Sequence, residues 1–322
     1  MNSLLLVAAA TLGDKMDPVF RGFDMWVYHI FGAMQNSFLT VVAKIFTSFG
    51  DENFVIPVAV LGIVLCFFKK TRKYGFSLIF AIAIGTLITN VVVKPAVLRI
   101  RPYNTLQTTK YWAEYSVWYK AAGALSESDY SFPSGHTTSA FEMAVSMFLC
   151  FKSTAKQKKA EGKKSAMGKI GVIFLIIAIC TGGSRIYLMV HYPTDVIGGF
   201  IAGTVAGILG YLLAKAVCKL FAKTKLDKID AEKIFKKGIS DKAASICVII
   251  VLIAAFCYSF IPSMQEGGKY EKHCEYVGDY TCYNAARDPD DKDYPPFDAD
   301  GDGKVDYFCK IHWKELHEKQ NQ

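Results

Sequence analysis

The feature that most constrains the fold of this chain is a series of apolar segments of membrane-spanning length, separated by charged loops. Six such segments cover residues 54–68, 76–93, 137–151, 170–182, 196–217 and 243–261. A helix needs about 20 residues to cross the hydrocarbon core of a bilayer, and the residues at the ends of the shorter segments extend them towards that length. A buried helix of a soluble bundle keeps a polar stripe, which the fifth segment lacks. The pattern therefore predicts an all-α fold, a polytopic membrane helix bundle.

Lysine and arginine are concentrated in the loops that follow the first, third and fifth segments. Cytoplasmic loops of membrane proteins carry an excess of these residues, so we expect these three loops inside the cell and the other loops outside. The formal net charge of +8 then reflects membrane topology, and we expect no nucleic-acid partner. The chain is 52% apolar with a positive mean hydropathy, which agrees with an integral protein of the plasma (inner) membrane.

The region before the first predicted span has two interpretations. Residues 25–49 are apolar but are interrupted by Gln35, Asn36 and Lys44. We interpret them as one amphipathic helix that lies at the outer membrane interface. The alternative is a seventh span, which would move the N-terminus to the cytoplasm.

Three short polar blocks at the predicted outer ends of the spans hold side chains suited to phosphate chemistry. Their residues are Lys94, Arg101, Ser134, Gly135, His136, Arg185, His191 and Asp195. Lysine and arginine neutralise phosphate oxygens, and the amides of Ser134 and Gly135 at a helix start form an anion site. We expect Lys94 to end the second span and Arg101 to follow two helical turns later, before Pro102 stops any helix.

The pair His191 and Asp195 is the most specific signal. The two residues lie four apart, either on one helical face or, as we favour, with Pro193 starting a helix from which Asp195 reaches back to the imidazole. A carboxylate on one ring nitrogen fixes the tautomer and makes the other nitrogen a better nucleophile. His136 can protonate a leaving group. Each block alone also fits a structural role, such as cations that snorkel from membrane helix ends.

In order and in internal spacing, the blocks resemble the signature of the type 2 phosphatidic acid phosphatase (PAP2) family, Lys-x6-Arg-Pro, Pro-Ser-Gly-His and Ser-Arg-x5-His-x3-Asp. The resemblance spans residues 54–217 and implies a PAP2/haloperoxidase-like helical core. It also implies catalysis without a metal cofactor, in which His191 forms a phosphohistidine, Asp195 supports it and His136 protonates the leaving oxygen. The implied phosphate ligands are Lys94, Arg101, Arg185 and the backbone at Ser134 and Gly135.

The resemblance implies a membrane phosphatase that hydrolyses the phosphomonoester or diphosphate of a lipid at the outer face. Candidate substrates are undecaprenyl diphosphate, phosphatidic acid, phosphatidylglycerol phosphate and lipid A phosphates, and we favour a polyprenyl diphosphate. Two alternatives stay open. One is a vanadate-dependent haloperoxidase-like oxidoreductase, against which the membrane spans argue. The other is a non-catalytic lipid-binding membrane protein, against which the intact blocks argue.

Two further patterns concern packing. Residues 103–132 are rich in Tyr and Trp, which favour the headgroup zone, so we expect this loop either over the site or as an interfacial anchor. The fifth span contains Gly199, Gly203 and Gly207 at four-residue spacing. Small residues on one face let helices approach closely. We expect these glycines to pack against another helix of the same chain rather than to form a dimer interface.

The region after Pro262 is acidic and contains Cys274, Cys282 and Cys309, two of which can form a disulfide if the region is extracytoplasmic. Part of it is similar to the first half of a calcium-binding loop. Its candidate ligands are Asp298, Asp300, Asp302, Lys304 through its carbonyl, and Asp306. Cys309 replaces the glutamate expected at position twelve, so a solvated acidic turn is the alternative. Any calcium held here would be structural and not catalytic.

These observations divide the chain into five units. They are an interfacial N-terminal segment (1–52), a catalytic membrane core (53–218), a basic cytoplasmic loop (219–242), an extra transmembrane helix (243–262) and an extracytoplasmic tail (263–322).

Overall fold

The computed structural model describes residues 11–127, 129–224 and 241–265. Its α-helices are α1 (Leu12–Ala33), α2 (Ser37–Thr47), α3 (Glu52–Cys66), α4 (Arg72–Thr86), α5 (Lys94–Val97), α6 (Pro102–Thr105), α7 (Trp112–Ala121), α8 (Gly135–Ala160), α9 (Met167–Tyr187), α10 (Pro193–Phe221) and α11 (Asp241–Gln265). A π-helical segment, Leu87–Val93, joins α4 to α5, and a 3-10 turn, Leu106–Thr108, follows α6. The described residues contain helices and no strand, which confirms the predicted all-α bundle.

Five stretches of the described chain are helical, long and apolar enough to cross a membrane. They are Ser37–Cys66, Arg72–Thr105, Met167–Tyr187, Pro193–Phe221 and Ser245–Pro262. Many large apolar side chains on these helices are exposed, such as Ile56, Ile179 and Leu212, and a bilayer would cover them. The chain is therefore an integral membrane protein, as predicted.

The third predicted span is part of α8, which is not among these five helices. Helix α8 lies against α4, α9 and α10, so protein rather than lipid surrounds much of it. It can consequently carry polar side chains that a lipid-facing helix excludes. One of them is Glu142, which is buried where it meets Gly85 of α4.

Glycines of α10 allow it to approach α8 closely. A Cβ atom at Gly199 would lie 2.6 Å from the carbonyl oxygen of Ser134, and one at Gly203 would lie 2.5 Å from that of Thr138. Neither position has room for a side chain without a shift of backbone. The glycine stripe thus packs within the chain, as predicted, and it places the first turn of α10 beside that of α8.

The N-terminal region forms two helices instead of the single amphipathic helix predicted over residues 25–49. Asn36 caps α2 by accepting a hydrogen bond from an amide in its first turn. The Asn36 amide in turn donates to the hydroxyl of Tyr187 on α9, at 3.0 Å, which holds the break between α1 and α2 in place. Helix α2 then continues into α3 as one apolar stretch, so the first candidate span begins at Ser37 and not at residue 54. The interfacial location of α1 stays a prediction.

The chain before Pro102 differs from the predicted continuous helix. Pro95 has no amide hydrogen to donate to the preceding turn, α5 is one turn long, and Leu98 adopts a left-handed φ of 55°. Pro102 therefore begins α6 instead of ending a helix, at a position where proline fits the first turn. Because the helix stops early, Arg99 and Arg101 both turn into the protein interior.

The aromatic segment between α6 and α8 packs against protein. Tyr103, Tyr115 and Tyr119 are buried, and the ring centroid of Tyr119 lies 5.1 Å from that of Tyr103 and 6.0 Å from that of Tyr115. The Tyr115 hydroxyl donates a hydrogen bond to the carbonyl of Met189, and the cluster also includes Tyr28 of α1. These tyrosines are core residues rather than interfacial anchors. They cover the end of the bundle at which the three polar blocks meet.

The acidic tail and most of the basic loop after α10 lie outside the described residues. The three tail cysteines and the candidate calcium ligands within residues 298–306 belong to this part of the chain, so their pairing and metal binding stay predictions.

Candidate active site

Lys94, Arg101 and Arg185 come together from three separate elements. Lys94 begins α5, Arg101 precedes α6, and Arg185 lies in the last turn of α9. Each is at most 8% exposed. A Cβ atom at Gly135 would lie 3.5 Å from Lys94 Nζ, so the ammonium faces the first turn of α8. We call these three cations, together with the first turn of α8, the anion pocket.

Two carboxylates that were not predicted, Glu127 and Asp129, occupy the anion pocket. Glu127 pairs with Arg185 and with Arg101, where Oε2 lies 2.5 Å from Nη2, and Asp129 pairs with Lys94 and Arg101. Burial raises the pKa of Asp129, but the charges of Arg101 and Lys94 outweigh it and hold the pKa well below its usual range. Carboxylate oxygens resemble phosphate oxygens in charge and hydrogen bonding. This carboxylate pair therefore marks where phosphate oxygens would bind.

The first turn of α8 contributes backbone amides to the pocket. Ser134 caps the helix, and its hydroxyl oxygen accepts a hydrogen bond from the Thr137 amide at 3.4 Å. The Ser134 amide donates to the carbonyl of Asp195 at 3.1 Å, so it is directed away from an anion, unlike the prediction. The amides of Gly135 and His136 follow it, and such first-turn amides have no acceptor within their own helix.

His191 is 1% exposed and presents one ring nitrogen to the pocket. Its Nε2 atom lies 3.1 Å from Arg101 Nη1 and 3.8 Å from Glu127 Oε2. A guanidinium can only donate, so Nε2 is the acceptor and the proton lies on Nδ1. Burial lowers the pKa of His191 well below its usual value, and the charges of Arg101 and Arg185 add to this effect. The imidazole is therefore neutral at neutral pH, as a nucleophile requires.

Asp195 lies in the first turn of α10, which begins at Pro193 as predicted. Its Oδ2 atom is 3.6 Å from His191 Nδ1, which is longer than a hydrogen bond. The same oxygen accepts hydrogen bonds from Ser131 Oγ at 2.5 Å and from the Tyr192 amide at 2.9 Å. Ser131 Oγ also lies 3.4 Å from Nδ1, so the serine stands between the carboxylate and the imidazole.

His136 occupies a more open position, with 20% of its side chain exposed. Its Nε2 atom lies 3.5 Å from Oδ2 of Asp51, the residue that caps α3. Gly50 makes this approach possible, because a Cβ atom there would lie 2.4 Å from the carbonyl oxygen of His136. The carboxylate orients the ring, as a general acid requires.

Five residues of the site were not predicted from the sequence. They are Asp51, Arg99, Glu127, Asp129 and Ser131. The last three lie just before the second block, in a loop predicted to be at the outer face, and Arg99 lies inside the first block between its two fixed positions. Proximity to a block is the signal that the sequence carries for these four residues, whereas Asp51 lies far from every block along the chain and reaches His136 only in the folded structure.

The positive charges in the pocket belong to Lys94, Arg101 and Arg185. Over residues 11–127, 129–224 and 241–265, no group of three or more His, Cys, Asp or Glu side chains is arranged to hold a metal ion.

Residues 74–219, which contain all three blocks, match the family model of the PAP2 superfamily. An undecaprenyl-diphosphatase from Sulfolobus acidocaldarius is 27% identical to this chain over 57% of this chain and 74% of its own length. A phosphatidylglycerophosphatase B from Bacillus subtilis is 30% identical over 49% of this chain and 66% of its own length.

Among solved structures, a transmembrane PAP2-type phosphatidylglycerolphosphate phosphatase from Bacillus subtilis is similar to this chain, with 23% sequence identity and a TM-score of 0.48. The alignment covers 62% of this chain and 88% of that chain. The residues that match the family model run from α4 to α10 and carry the anion pocket, both motif histidines and Asp195. The resemblance drawn from the sequence is confirmed, and residues 74–219 of this chain belong to the PAP2 superfamily.

Proposed function

We propose that this chain hydrolyses the phosphate or diphosphate group of a membrane lipid through a phosphohistidine intermediate. The observation that carries the proposal is the buried, neutral His191, whose Nε2 atom faces a pocket formed by three cations. Membership of the PAP2 superfamily and the membrane-spanning helices support a lipid phosphate as the substrate.

In the first step, the lipid phosphate replaces the carboxylate pair in the anion pocket, and the cations neutralise its oxygens. His191 Nε2 attacks phosphorus. A P–N bond forms while the bond between phosphorus and the lipid oxygen breaks, and protonated His136 transfers its proton to that oxygen. Asp195 and Ser131 stabilise the positive charge that develops on the imidazole, on the side of Nδ1.

In the second step, water attacks the phosphorus of the phosphohistidine. His136, which is now neutral, accepts a proton from the water, and the P–N bond breaks. Inorganic phosphate leaves, and His191 and His136 return to their initial protonation states. A diphosphate substrate yields a lipid monophosphate, whereas a monoester yields the lipid alcohol.

A polyprenyl diphosphate is the substrate that we favour. The relative from Sulfolobus acidocaldarius carries the name undecaprenyl-diphosphatase. A lipid monophosphate, which the name phosphatidylglycerophosphatase B implies for the second relative, is the competing substrate class.

The active site in this proposal faces the outside of the cell. The anion pocket lies where α8 and α10 begin and α9 ends, and the lysine-rich turn between α8 and α9 lies at the opposite ends of these helices. Lysine-rich turns favour the cytoplasm. With this turn inside, the pocket is outside.

Phosphate release by the purified chain in detergent tests the proposal. The substrates are undecaprenyl diphosphate, phosphatidylglycerol phosphate, phosphatidic acid and a lipid A phosphate, without vanadate or peroxide. His191→Ala should lower the rate about 10³-fold or more. The matched control is His29→Ala, because His29 is half-exposed on α1 and pairs only with Glu114 among the acids described.

Equal phosphate release by the wild type and His191→Ala would overturn the catalytic assignment. An acid-labile, base-stable phosphoryl label on the wild type and none on His191→Ala would support the phosphohistidine. Halide oxidation that depends on vanadate and peroxide, with no phosphate release, would favour the oxidoreductase alternative.

A further inference from the structure

The buried side chain of Arg99 connects the N-terminal helix α1 to the catalytic residues. Arg99 is fully buried and donates hydrogen bonds to three carboxylates. Its Nε reaches Asp17 Oδ1 at 2.9 Å and its Nη2 reaches Asp24 Oδ2 at 2.9 Å. Its Nη1 reaches Asp195 Oδ1 at 2.6 Å. Two of the acceptors thus belong to α1, and the third is the carboxylate that supports His191.

This cluster holds the Arg99 guanidinium among three acids, and the partly exposed Arg21 also pairs with Asp17, at 3.7 Å. Burial raises the pKa of Asp17 and Asp24, and the charge of Arg99 opposes the rise. The ring of Tyr192 covers the guanidinium, with 3.9 Å between Arg99 Cζ and the ring centroid. A planar guanidinium bonded along three edges has one orientation, so the Asp195 carboxylate that it contacts is also held in one orientation.

Helix α1 also contacts the backbone that carries the catalytic residues. Asp24 Oδ1 accepts a hydrogen bond from the Thr194 amide, in the first turn of α10, at 2.9 Å. The Tyr28 hydroxyl donates to the carbonyl of His191 at 2.8 Å. These contacts bind α1 to the first turn of α10 and to the short connection that precedes it.

We propose that Arg99 is a positioning residue for catalysis and that α1 holds it in place. With Asp195 Oδ1 bound to Arg99, Oδ2 stays directed at Ser131 and His191 Nδ1, which orients Nε2 towards phosphorus. Helix α1 lies outside residues 74–219, so this support comes from a part of the chain beyond the superfamily match. The proposal rests on the proposed phosphatase function.

Variants of the cluster separate positioning from phosphate binding. Arg99→Met should lower kcat about 100-fold, the scale of a misplaced catalytic group. The inhibition constant of inorganic phosphate should stay within about twofold of the wild-type value, because the anion pocket keeps its cations.

Asp24→Asn, which is isosteric, should lower kcat about 10-fold. The matched control is Asp14→Asn on the same helix, where Asp14 contacts Thr11 in the helix cap and should not affect kcat.

A double-mutant cycle tests whether Arg99 acts through Asp195. In an Asp195→Asn background, Arg99→Met should reduce kcat by no more than about a further twofold. A full further 100-fold loss would overturn the proposal, as would a phosphate inhibition constant that rises in parallel with the fall in kcat. If Arg99→Met does not purify as a folded protein, Asp24→Asn decides the question, and wild-type kcat in that variant would overturn the proposal.

Failure of this inference is distinguishable from failure of the proposed function. A wild-type protein that releases no phosphate from any of the four lipids would contradict both the proposed function and the role of Arg99. A wild type whose activity depends on His191, together with an Arg99→Met variant of wild-type kcat, would contradict the role of Arg99 alone.

Discussion

Three cations and two carboxylates determine the net charge of the anion pocket. Arg101 contacts both members of the carboxylate pair, so a substrate phosphate must displace Glu127 and Asp129 before it reaches all three cations. Asp129 is well placed to leave, because 47% of its side chain is exposed to solvent. In the proposed function, the carboxylate pair is therefore an internal competitor of the substrate, and the binding affinity for phosphate is a difference between two sets of ion pairs.

Removal of one competing carboxylate should strengthen phosphate binding. We expect Asp129→Asn to lower KM and the inhibition constant of inorganic phosphate about two- to fivefold, the scale of a partly exposed ion pair. Steady-state kinetics with and without phosphate measure both constants. Glu114→Gln is the matched control, since Glu114 is a half-exposed acid on α7. A higher KM in Asp129→Asn would show that the carboxylate organises the cations instead of competing with substrate.

At the scale of the elements, every motif side chain lies at or next to a helix end, so the contacts between helices set the distances between catalytic groups. Helices α8 and α10 matter most, since they begin side by side and carry His136 and Asp195. Their close approach depends on glycines, because the backbone of α8 lies where a Cβ atom of α10 would be. The close packing of α8 against α10 in the middle of the bundle therefore affects how His136 and Asp195 are placed at its end.

A methyl group added at this interface should disturb both stability and activity. Gly203→Ala places a Cβ atom 2.5 Å from the Thr138 carbonyl oxygen, and overpacking of this kind costs about 1–3 kcal/mol. We expect a lower thermal midpoint in detergent and a lower kcat. Gly183→Ala on α9 is the control, because nothing lies within 4 Å of a Cβ atom there. Equal midpoints for the two variants would contradict the proposed close packing.

At the scale of the whole molecule, the chain has two chemically different ends. One end contains the anion pocket and the packed tyrosines, and the other contains the lysine-rich turn between α8 and α9. A bilayer between these ends would separate the anion pocket from the basic turn. The positive-inside rule favours the proposed orientation, in which the lysine-rich turn lies in the cytoplasm and the anion pocket outside.

Labelling of single cysteines in intact cells tests this orientation. In a variant that lacks the nine native cysteines, Tyr130→Cys is exposed near the pocket and should react with a membrane-impermeant maleimide. Lys163→Cys, in the turn between α8 and α9, should react only after the membrane is permeabilised. The reverse pattern would place the active site in the cytoplasm.

Properties that depend on short stretches of sequence were predictable for this protein. Hydropathy predicted a helical membrane bundle, and residue spacing within the three blocks predicted the family and its candidate catalytic groups. The start of α10 at Pro193 followed from the local conformational limits of proline. The break between α1 and α2 and the interior position of α8 did not follow, because each depends on contacts between distant elements. The early end of α5 was missed although Pro95 is a local signal for it.

The sequence by itself determined the membrane bundle and the superfamily, and it singled out the candidate phosphate-binding side chains, because hydropathy and motif spacing are local properties of the chain. Only the tertiary structure brought the carboxylate pair into the anion pocket and joined α1 to the candidate catalytic residues. Arg99 is 82 residues from Asp17 and 96 residues from Asp195 along the chain, and hydrogen bonds over such separations exist only after the helices pack. The charge balance around His191 is therefore a property of the folded bundle.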